Sequence, residues 1–153
     1  MQLEWEGERH PLRFGKSGKL RHRTLVEGLF AGGRSLYDYP LRLVYRVLSA
    51  QELSDSFRDG CPPGVAPLQM MVTVPKKKRR HAVDRVLMRR RIREAFRLNR
   101  LPLTHAIDAC GGGRYLQIAV IYLHGGNLPY AEIEEKMRGL LDKLVRKTCS
   151  CAQ

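Results

Sequence analysis

The stretch V-P-K-K-K-R-R-H-A-V-D-R-V-L-M-R-R-R-I-R-E-A-F-R-L-N-R, residues 74–100, organises the rest of this chain. It holds twelve basic side chains and two acidic ones, a balance of +10 out of a net charge of +13 for the whole chain. Pro75 lacks an amide hydrogen, so it can follow a strand but cannot lie inside one. From Ala82 to Asn99, good helix formers follow one another without Gly or Pro, which predicts an α-helix.

The predicted helix has a basic side and an apolar side. At about 100° per residue, the arginines that share one arc are Arg85, Arg89, Arg90, Arg93, Arg97 and Arg100. The residues of the other side are Met88, Ile92, Ala95 and Phe96, flanked by Leu87 and Leu98. A solvated helix face would ordinarily mix signs, yet only Glu94 is placed to pair with an arginine here. Guanidinium groups bind phosphate through two parallel donors and stay charged, so the pattern predicts a nucleic-acid-binding face.

This helix resembles the signature helix of the protein subunit of bacterial ribonuclease P, whose pattern is approximately A-V-x-R-N-R-x-K-R-x-x-R-E-x-F-R. The matching positions are Ala82, Val83, Arg85, Arg89, Arg90, Arg93, Glu94, Phe96 and Arg97. Val86 and Leu87 stand where the family has Asn and Arg. The family's basic opening segment, short helix with an L-F pair, Gly turn and Tyr-Pro-Leu-Arg strand also have counterparts, so the resemblance extends from Phe14 to Arg146.

The resemblance implies a fold and an activity. The fold would be α+β, an α-β-β-(β)-α-β-α sandwich with a central mixed sheet, ribosomal-protein-S5-domain-2-like, with a left-handed β-α-β crossover. The chain would be the protein component of ribonuclease P, which binds the catalytic RNA subunit and precursor tRNA. The RNA subunit, with Mg²⁺, would remove the 5′ leader by phosphodiester hydrolysis to give mature tRNA 5′ ends.

The resemblance also implies which side chains meet RNA. Those expected to bind the RNA subunit are Lys76, Lys77, Lys78, Arg85, Arg89, Arg90, Arg93 and Arg97. Those expected in a cleft for the single-stranded leader are Phe30, Tyr37, Tyr39 and Arg42. Aromatic faces stack on unpaired bases without reading their sequence, which suits varied leaders. Core packing explains Phe30 equally well.

Periodicity predicts the remaining elements. A short helix is expected near Arg23–Ala31, strands over 41–48, 68–74 and 115–124, and an amphipathic helix over 128–147. One extra strand is possible ahead of the basic helix, and periodicity does not fix its position. The segments 50–66 and 101–114 are expected to be a long mobile loop and a linker. We expect an extension over 1–13, one RNA-binding domain over 14–147 and a tail over 148–153.

Composition limits the other functions. No apolar run approaches the ~18 residues of a membrane span, and the first ten residues do not form a signal peptide, so we expect a cytoplasmic protein with no membrane association and no obligatory protein partner. The cysteines form no C-x-x-C pair, and no nucleophile triad, Walker loop or carboxylate pair for two metals is recognisable. The sequence therefore predicts no catalytic or metal-binding residues. A ribosomal or ribosome-assembly protein is the alternative; a DNA-binding regulator would need a second helix at helix-turn-helix spacing.

Overall fold

Four strands form a mixed sheet in the part of the chain that the computed structural model describes, residues 18–58, 65–109 and 113–150. They are β1 (Arg34–Asp38), β2 (Leu41–Ser49), β3 (Leu68–Thr73) and β4 (Arg114–Tyr122). The order across the sheet is β1-β2-β4-β3. β1 pairs with β2 and β2 with β4 in antiparallel fashion, whereas β3 and β4 are parallel. The predicted α+β class with a mixed sheet is confirmed, and β1 is the extra strand.

Five helices accompany the sheet among the described residues. They are α1 (Arg23–Gly32), α2 (Ala50–Asp55), α3 (Ala82–Asn99), α4 (Leu101–Ala109) and α5 (Tyr130–Ser150). The connection from β3 to its parallel neighbour β4 carries α3 and α4. A parallel pair needs such a crossover because its two strands start at the same edge. The left hand of this crossover stays a prediction.

Alternation along the strands sends side chains into two separate cores. Leu41, Leu43 and Tyr45 face the larger core, where the sheet packs against α3, α4 and α5. Val44 and Leu48 face the smaller core, which includes Leu25 and Leu29 of α1. Side chains of β4 enter both cores, so its predicted central, doubly buried position is confirmed. On the face that carries α1, Tyr37 and Arg42 stay exposed among the described residues.

Two segments expected to be irregular contain helices. Residues 50–55 form α2, because the hydroxyl of Ser49 accepts the amide hydrogen of Glu52 at 3.2 Å and Leu53 enters the smaller core. Residues 101–109 form α4, which buries Leu103 and Ile107. Its proline lies in the first turn, where the missing amide hydrogen is no loss. The predictions of a loop and a linker were wrong over these residues.

Both ends of the chain lie partly outside the described residues. The predicted extension 1–13, with Trp5, lies outside the described residues, as do Cys61, Cys110 and Cys151 and the side chain of Cys149. α5 continues to Ser150, and Thr148 is buried, so the boundary expected at residue 147 falls inside a helix.

Candidate nucleic-acid interface

Residues 75–80, here called the basic turn, carry the lysine run between β3 and α3. The amide hydrogens of Lys78 and Arg79 both donate to the carbonyl of Pro75, at 3.0 and 3.1 Å, and close the turn. Lys76, Lys77 and Lys78 are exposed. Because β3 ends at Thr73, the turn projects from the edge of the sheet at which the parallel strands end.

The arginines of α3 divide into two groups, and the first group is bound within the protein. Arg85 donates from Nη1 to the carbonyls of Arg79 and Arg80, at 3.0 and 2.8 Å. Arg91 donates to the carbonyl of Leu128, between β4 and α5. These arginines tie the helix to its surroundings. Arg85 was predicted as an RNA contact, but in the structure its Nη1 is used in hydrogen bonds within the protein.

Arg97 belongs to the same group, because it forms a two-point ion pair with Glu94. The distances are 3.0 Å from Nε to Oε2 and 2.6 Å from Nη2 to Oε1. The hydrogen bond from Arg97 holds the pKa of the Glu94 carboxyl below its usual value, and Glu94 raises the pKa of Arg97. The pair offers RNA less net charge than an unpaired guanidinium would.

The second group points to solvent. Among the described residues, Arg89, Arg90 and Arg93 have no hydrogen-bond or ion-pair partner. Arg90 and Arg93 are exposed and Arg89 is half-buried. The buried side of the helix is the predicted one: Met88, Ile92, Ala95 and Phe96 all enter the larger core. The helix therefore presents three unpaired guanidinium groups on a backbone fixed by packing.

A polar junction locks the basic turn to the body of the protein. Nη2 of Arg79 lies 3.0 Å from Oδ2 of Asp84, in the first turn of α3. Oδ1 of the same carboxylate accepts from the side-chain amide of Asn127 at 3.1 Å. Arg79 also donates from Nη1 to the carbonyl of Gly125 at 2.9 Å. We call Arg79, Asp84, Arg85 and Asn127 the turn junction.

A row of side chains crosses the sheet near the basic turn. Strand register makes Tyr37 and Arg42 direct neighbours, and continues the row to Ile121 and Thr73. All four lie on the face that carries α1, since each is one residue away from a side chain that faces the larger core. Tyr37 is 60% exposed, and Arg42 donates to the hydroxyl of Ser35 at 3.1 Å. The structure thus brings two of the four predicted cleft residues together.

The other two predicted cleft residues, Phe30 and Tyr39, are not members of this row. Phe30 is at the end of α1 and 47% exposed, so it is not a core residue as the alternative explanation required. Tyr39 is half exposed, and its hydroxyl lies 2.7 Å from Nδ1 of His124, with the two rings edge to face. This contact joins the β1–β2 turn to the end of β4.

Sequence reasoning missed several residues at this surface. Ile121 and Thr73 could have been found by extending the strand alternation from Arg42 to β3 and β4. Arg79, Asp84 and Asn127 could not, because their contacts join positions 43 or more residues apart or depend on the shape of the turn. Nothing in the run V-P-K-K-K-R-R distinguishes Arg79 from its neighbours.

The described residues contain no group of three or more His, Cys, Asp or Glu side chains that could hold a metal ion. No helix among the described residues is both long and apolar enough to cross a membrane.

The model of one protein family matches this chain. That family is ribonuclease P, and the match covers residues 14–145. The chain belongs to the ribonuclease P protein family. A ribonuclease P protein component of Porphyromonas gingivalis is 37% identical over 92 residues, which are 59% of this chain and 58% of that relative. One from Chlorobium phaeobacteroides is 34% identical over 112 residues, 69% of this chain and 68% of the relative.

Solved structures of the ribonuclease P family share the fold. The RNase P protein of Staphylococcus aureus superimposes with a TM-score of 0.58 at 15% identity, over 83% of this chain and 94% of that one. The protein from Thermotoga maritima gives a TM-score of 0.53 at 20% identity, over 82% and 96%. The resemblance inferred from the helix of residues 82–97 is therefore confirmed for family and fold.

Proposed function

We propose that this chain is the protein component of a ribonuclease P ribonucleoprotein. It binds the catalytic RNA subunit and the 5′ leader of precursor tRNA, and so assists endonucleolytic removal of the leader. The observation that carries the proposal is the set of unpaired cations: Arg89, Arg90 and Arg93 on α3, beside Lys76, Lys77 and Lys78. Guanidinium groups without a partner in the protein, on a helix fixed by packing, are suited to bind the phosphates of an RNA backbone.

The leader is proposed to cross the open part of the sheet. Tyr37 and Arg42 offer an aromatic face and a cation side by side, with Ile121 and Thr73 extending the same row. Phe30 and Tyr39, both exposed, are proposed as further stacking surfaces. Stacking and a phosphate contact need no base-specific hydrogen bonds, so leaders of different sequence would bind alike. The row lies at the end of β3 that leads into the basic turn, so the two RNA contacts are continuous.

Catalysis is assigned to the RNA subunit. Mg²⁺ would be held mainly by RNA phosphates, as the described part of the protein lacks a carboxylate cluster. We assign RNA binding to the domain predicted over residues 14–147, with 1–13 as an extension; α5 carries the domain past residue 147 to Ser150. The proposed complex acts in the cytoplasm and needs no further protein.

Reconstitution tests this proposal. Precursor tRNA is incubated with nuclease-free protein alone, with a bacterial ribonuclease P RNA alone in high Mg²⁺, and with both in low Mg²⁺. We expect cleavage at the mature 5′ end in the last two mixtures and none in the first. Cleavage by the protein without RNA would overturn the assignment of catalysis to the RNA subunit.

A binding experiment tests the leader site and the alternative function. The reconstituted complex should bind precursor tRNA more tightly than tRNA without a leader, and Tyr37→Ala with Arg42→Ala should remove most of that difference. RNA that copurifies with the protein from cells is sequenced in parallel. Recovery of ribosomal RNA alone would favour the ribosome-assembly alternative.

A further inference from the structure

Asp84 places a negative charge on the proposed RNA-binding surface. It is the only acidic residue between positions 75 and 93, a stretch with ten basic residues. A carboxylate so close to the phosphate backbone repels RNA, so charge alone gives no reason for it. Its contacts do give one. Both carboxylate oxygens are used, Oδ2 by Arg79 at 3.0 Å and Oδ1 by Asn127 at 3.1 Å.

These contacts reach the backbone that carries the lysines. Arg79 is a residue of the basic turn, and its side chain is only 18% exposed. It is fixed between Asp84 on α3 and the carbonyl of Gly125 after β4. Arg85, the next residue after Asp84, holds the carbonyls of Arg79 and Arg80 from the other direction. Two adjacent residues near the start of α3 therefore hold the basic turn: Asp84 binds the side chain of Arg79, and Arg85 binds the backbone of Arg79 and Arg80.

We propose that Asp84 is a positioning residue for RNA binding: through Arg79 and Asn127 it fixes the basic turn so that Lys76–Lys78 and the free arginines of α3 contact one phosphate backbone. The inference rests on the proposed function, because RNA is the ligand. Lysine side chains and a short turn lose conformational freedom when they bind, and a turn already held in place loses less. The junction thus gives the lysines a defined position relative to Arg89, Arg90 and Arg93.

The positioning role and simple charge repulsion predict opposite changes in RNA affinity when Asp84 is neutralised. Removing a negative charge from an RNA-binding surface should tighten binding, but Asp84→Asn should weaken it, by about three- to tenfold, through loss of the ordered turn. Asn127→Ala changes no charge and should also weaken binding. Glu94→Gln is the matched control. It removes the same charge from the same helix and loosens the ion pair with Arg97, so binding should be unchanged or tighter.

The experiment titrates full-length wild type and each variant against a bacterial ribonuclease P RNA at fixed salt, well below the melting temperature of every variant. Absence of wild-type binding would reject the proposed function itself. Given wild-type binding, an Asp84→Asn variant that binds as tightly as wild type, or more tightly, would reject only the positioning role.

A second background separates positioning from loss of folding. Asp84→Asn is combined with Lys76→Ala, Lys77→Ala and Lys78→Ala. If Asp84 acts through the lysines, the substitution should no longer weaken binding there, and the lost repulsion should show as slight tightening. An equal weakening in both backgrounds would mean that Asp84 supports only the general stability of the domain, and would overturn the inference.

Discussion

Gly28 of α1 and the guanidinium group of Arg46 on β2 meet between the helix and the sheet. A Cβ atom on Gly28 would lie 2.8 Å from Nη2 and 3.0 Å from Cζ of that arginine. Nη2 in turn donates to the side-chain carbonyl of Gln117 at 3.1 Å. Burial lowers the pKa of Arg46, partly opposed by Glu52. α1 can lie this close to the sheet because position 28 leaves space for the cation.

This relationship predicts that Gly28→Ala is less favourable in the wild type than in an Arg46→Ala background. In the wild type, the new methyl group displaces the guanidinium and weakens its bond to Gln117, a loss of about 1 kcal/mol. In an Arg46→Ala background the space is free, and the substitution should stabilise α1 by up to about 1 kcal/mol through helix propensity. Urea unfolding of the four proteins measures both effects. The same change in both backgrounds would show that Gly28 and Arg46 do not interact.

The two glycines at the end of α1 should respond oppositely to alanine. A Cβ on Gly33 would meet the Leu29 carbonyl and lie 2.8 Å from Cγ1 of Val44, so Gly33→Ala should destabilise the protein by about 1–3 kcal/mol. A Cβ on Gly32 meets nothing within 4 Å. Gly32→Ala should therefore be neutral or stabilise by up to about 1 kcal/mol. Thermal melts of the two variants decide this, and equal shifts would contradict it.

RNA affinity should come from α3 and not from the other basic helix end. Arg89→Ala with Arg93→Ala removes two unpaired cations. The slope of log K for RNA binding against log salt concentration should become less negative by about 0.7–0.9 per lost phosphate contact. Lys143→Ala with Arg146→Ala, on exposed positions of α5, is the matched control and should change little. Titrations at several salt concentrations give the slopes. Similar losses from both pairs would mean that the charge acts diffusely.

Val86 and Leu87 mark the departure from the family pattern. Val86 is 37% exposed and Leu87 is half-buried, so the two should answer differently to polar substitution. Val86→Asn should leave stability within about 0.5 kcal/mol and tighten RNA binding by about 0.5–1.5 kcal/mol. Leu87→Arg should lower stability. Thermal melts and RNA titrations of the single variants test this, and the reverse result would mean that position 87 faces the RNA.

The turn junction should make stability depend on pH in the acid range. The hydrogen bond from Asn127, followed by the charge of Arg79, holds the pKa of Asp84 below its usual value, and His81 adds to the effect. A carboxyl group with a lowered folded-state pKa stabilises the fold fully above its unfolded pKa, and this stabilisation is lost as pH falls towards the folded value. Wild type should therefore lose more stability between pH 6 and pH 3 than Asp84→Asn does. Parallel losses in urea unfolding would contradict the assignment.

The sequence alone predicts α3 completely, because eighteen residues of good helix formers carry an unbroken apolar side. It also predicts β2, β3 and β4 from their apolar and β-branched residues, and α5 from an apolar stripe that recurs over several helical turns. It does not predict α2 or α4. Their helical character depends on Leu53, Leu103 and Ile107 reaching cores built by distant segments, and short helices are only marginally stable without such packing.

In the candidate site, too, the sequence predicts some features and not others. A helical wheel gives the direction of each arginine but not its partner, so it places Arg85 beside Arg89 and cannot show that Arg85 bonds to the basic turn. Likewise it leaves Arg97 on the basic side, although Glu94 takes two of its donors. Tyr37 and Arg42 were predicted from the family resemblance, and only the pairing of β1 with β2 shows that they are direct neighbours. The pairing of Tyr39 with His124 needs the folded sheet, because 85 residues separate them.

The unpaired state of Arg89, Arg90 and Arg93 has a consequence for the free protein. Three like charges on adjacent turns of one helix repel each other, and this repulsion opposes the compact state until an anion lies among them. Any polyanion that binds only the folded chain then raises its melting temperature by mass action. The domain should be least robust when newly synthesised and alone. The proposed RNA partner would therefore also stabilise the folded protein.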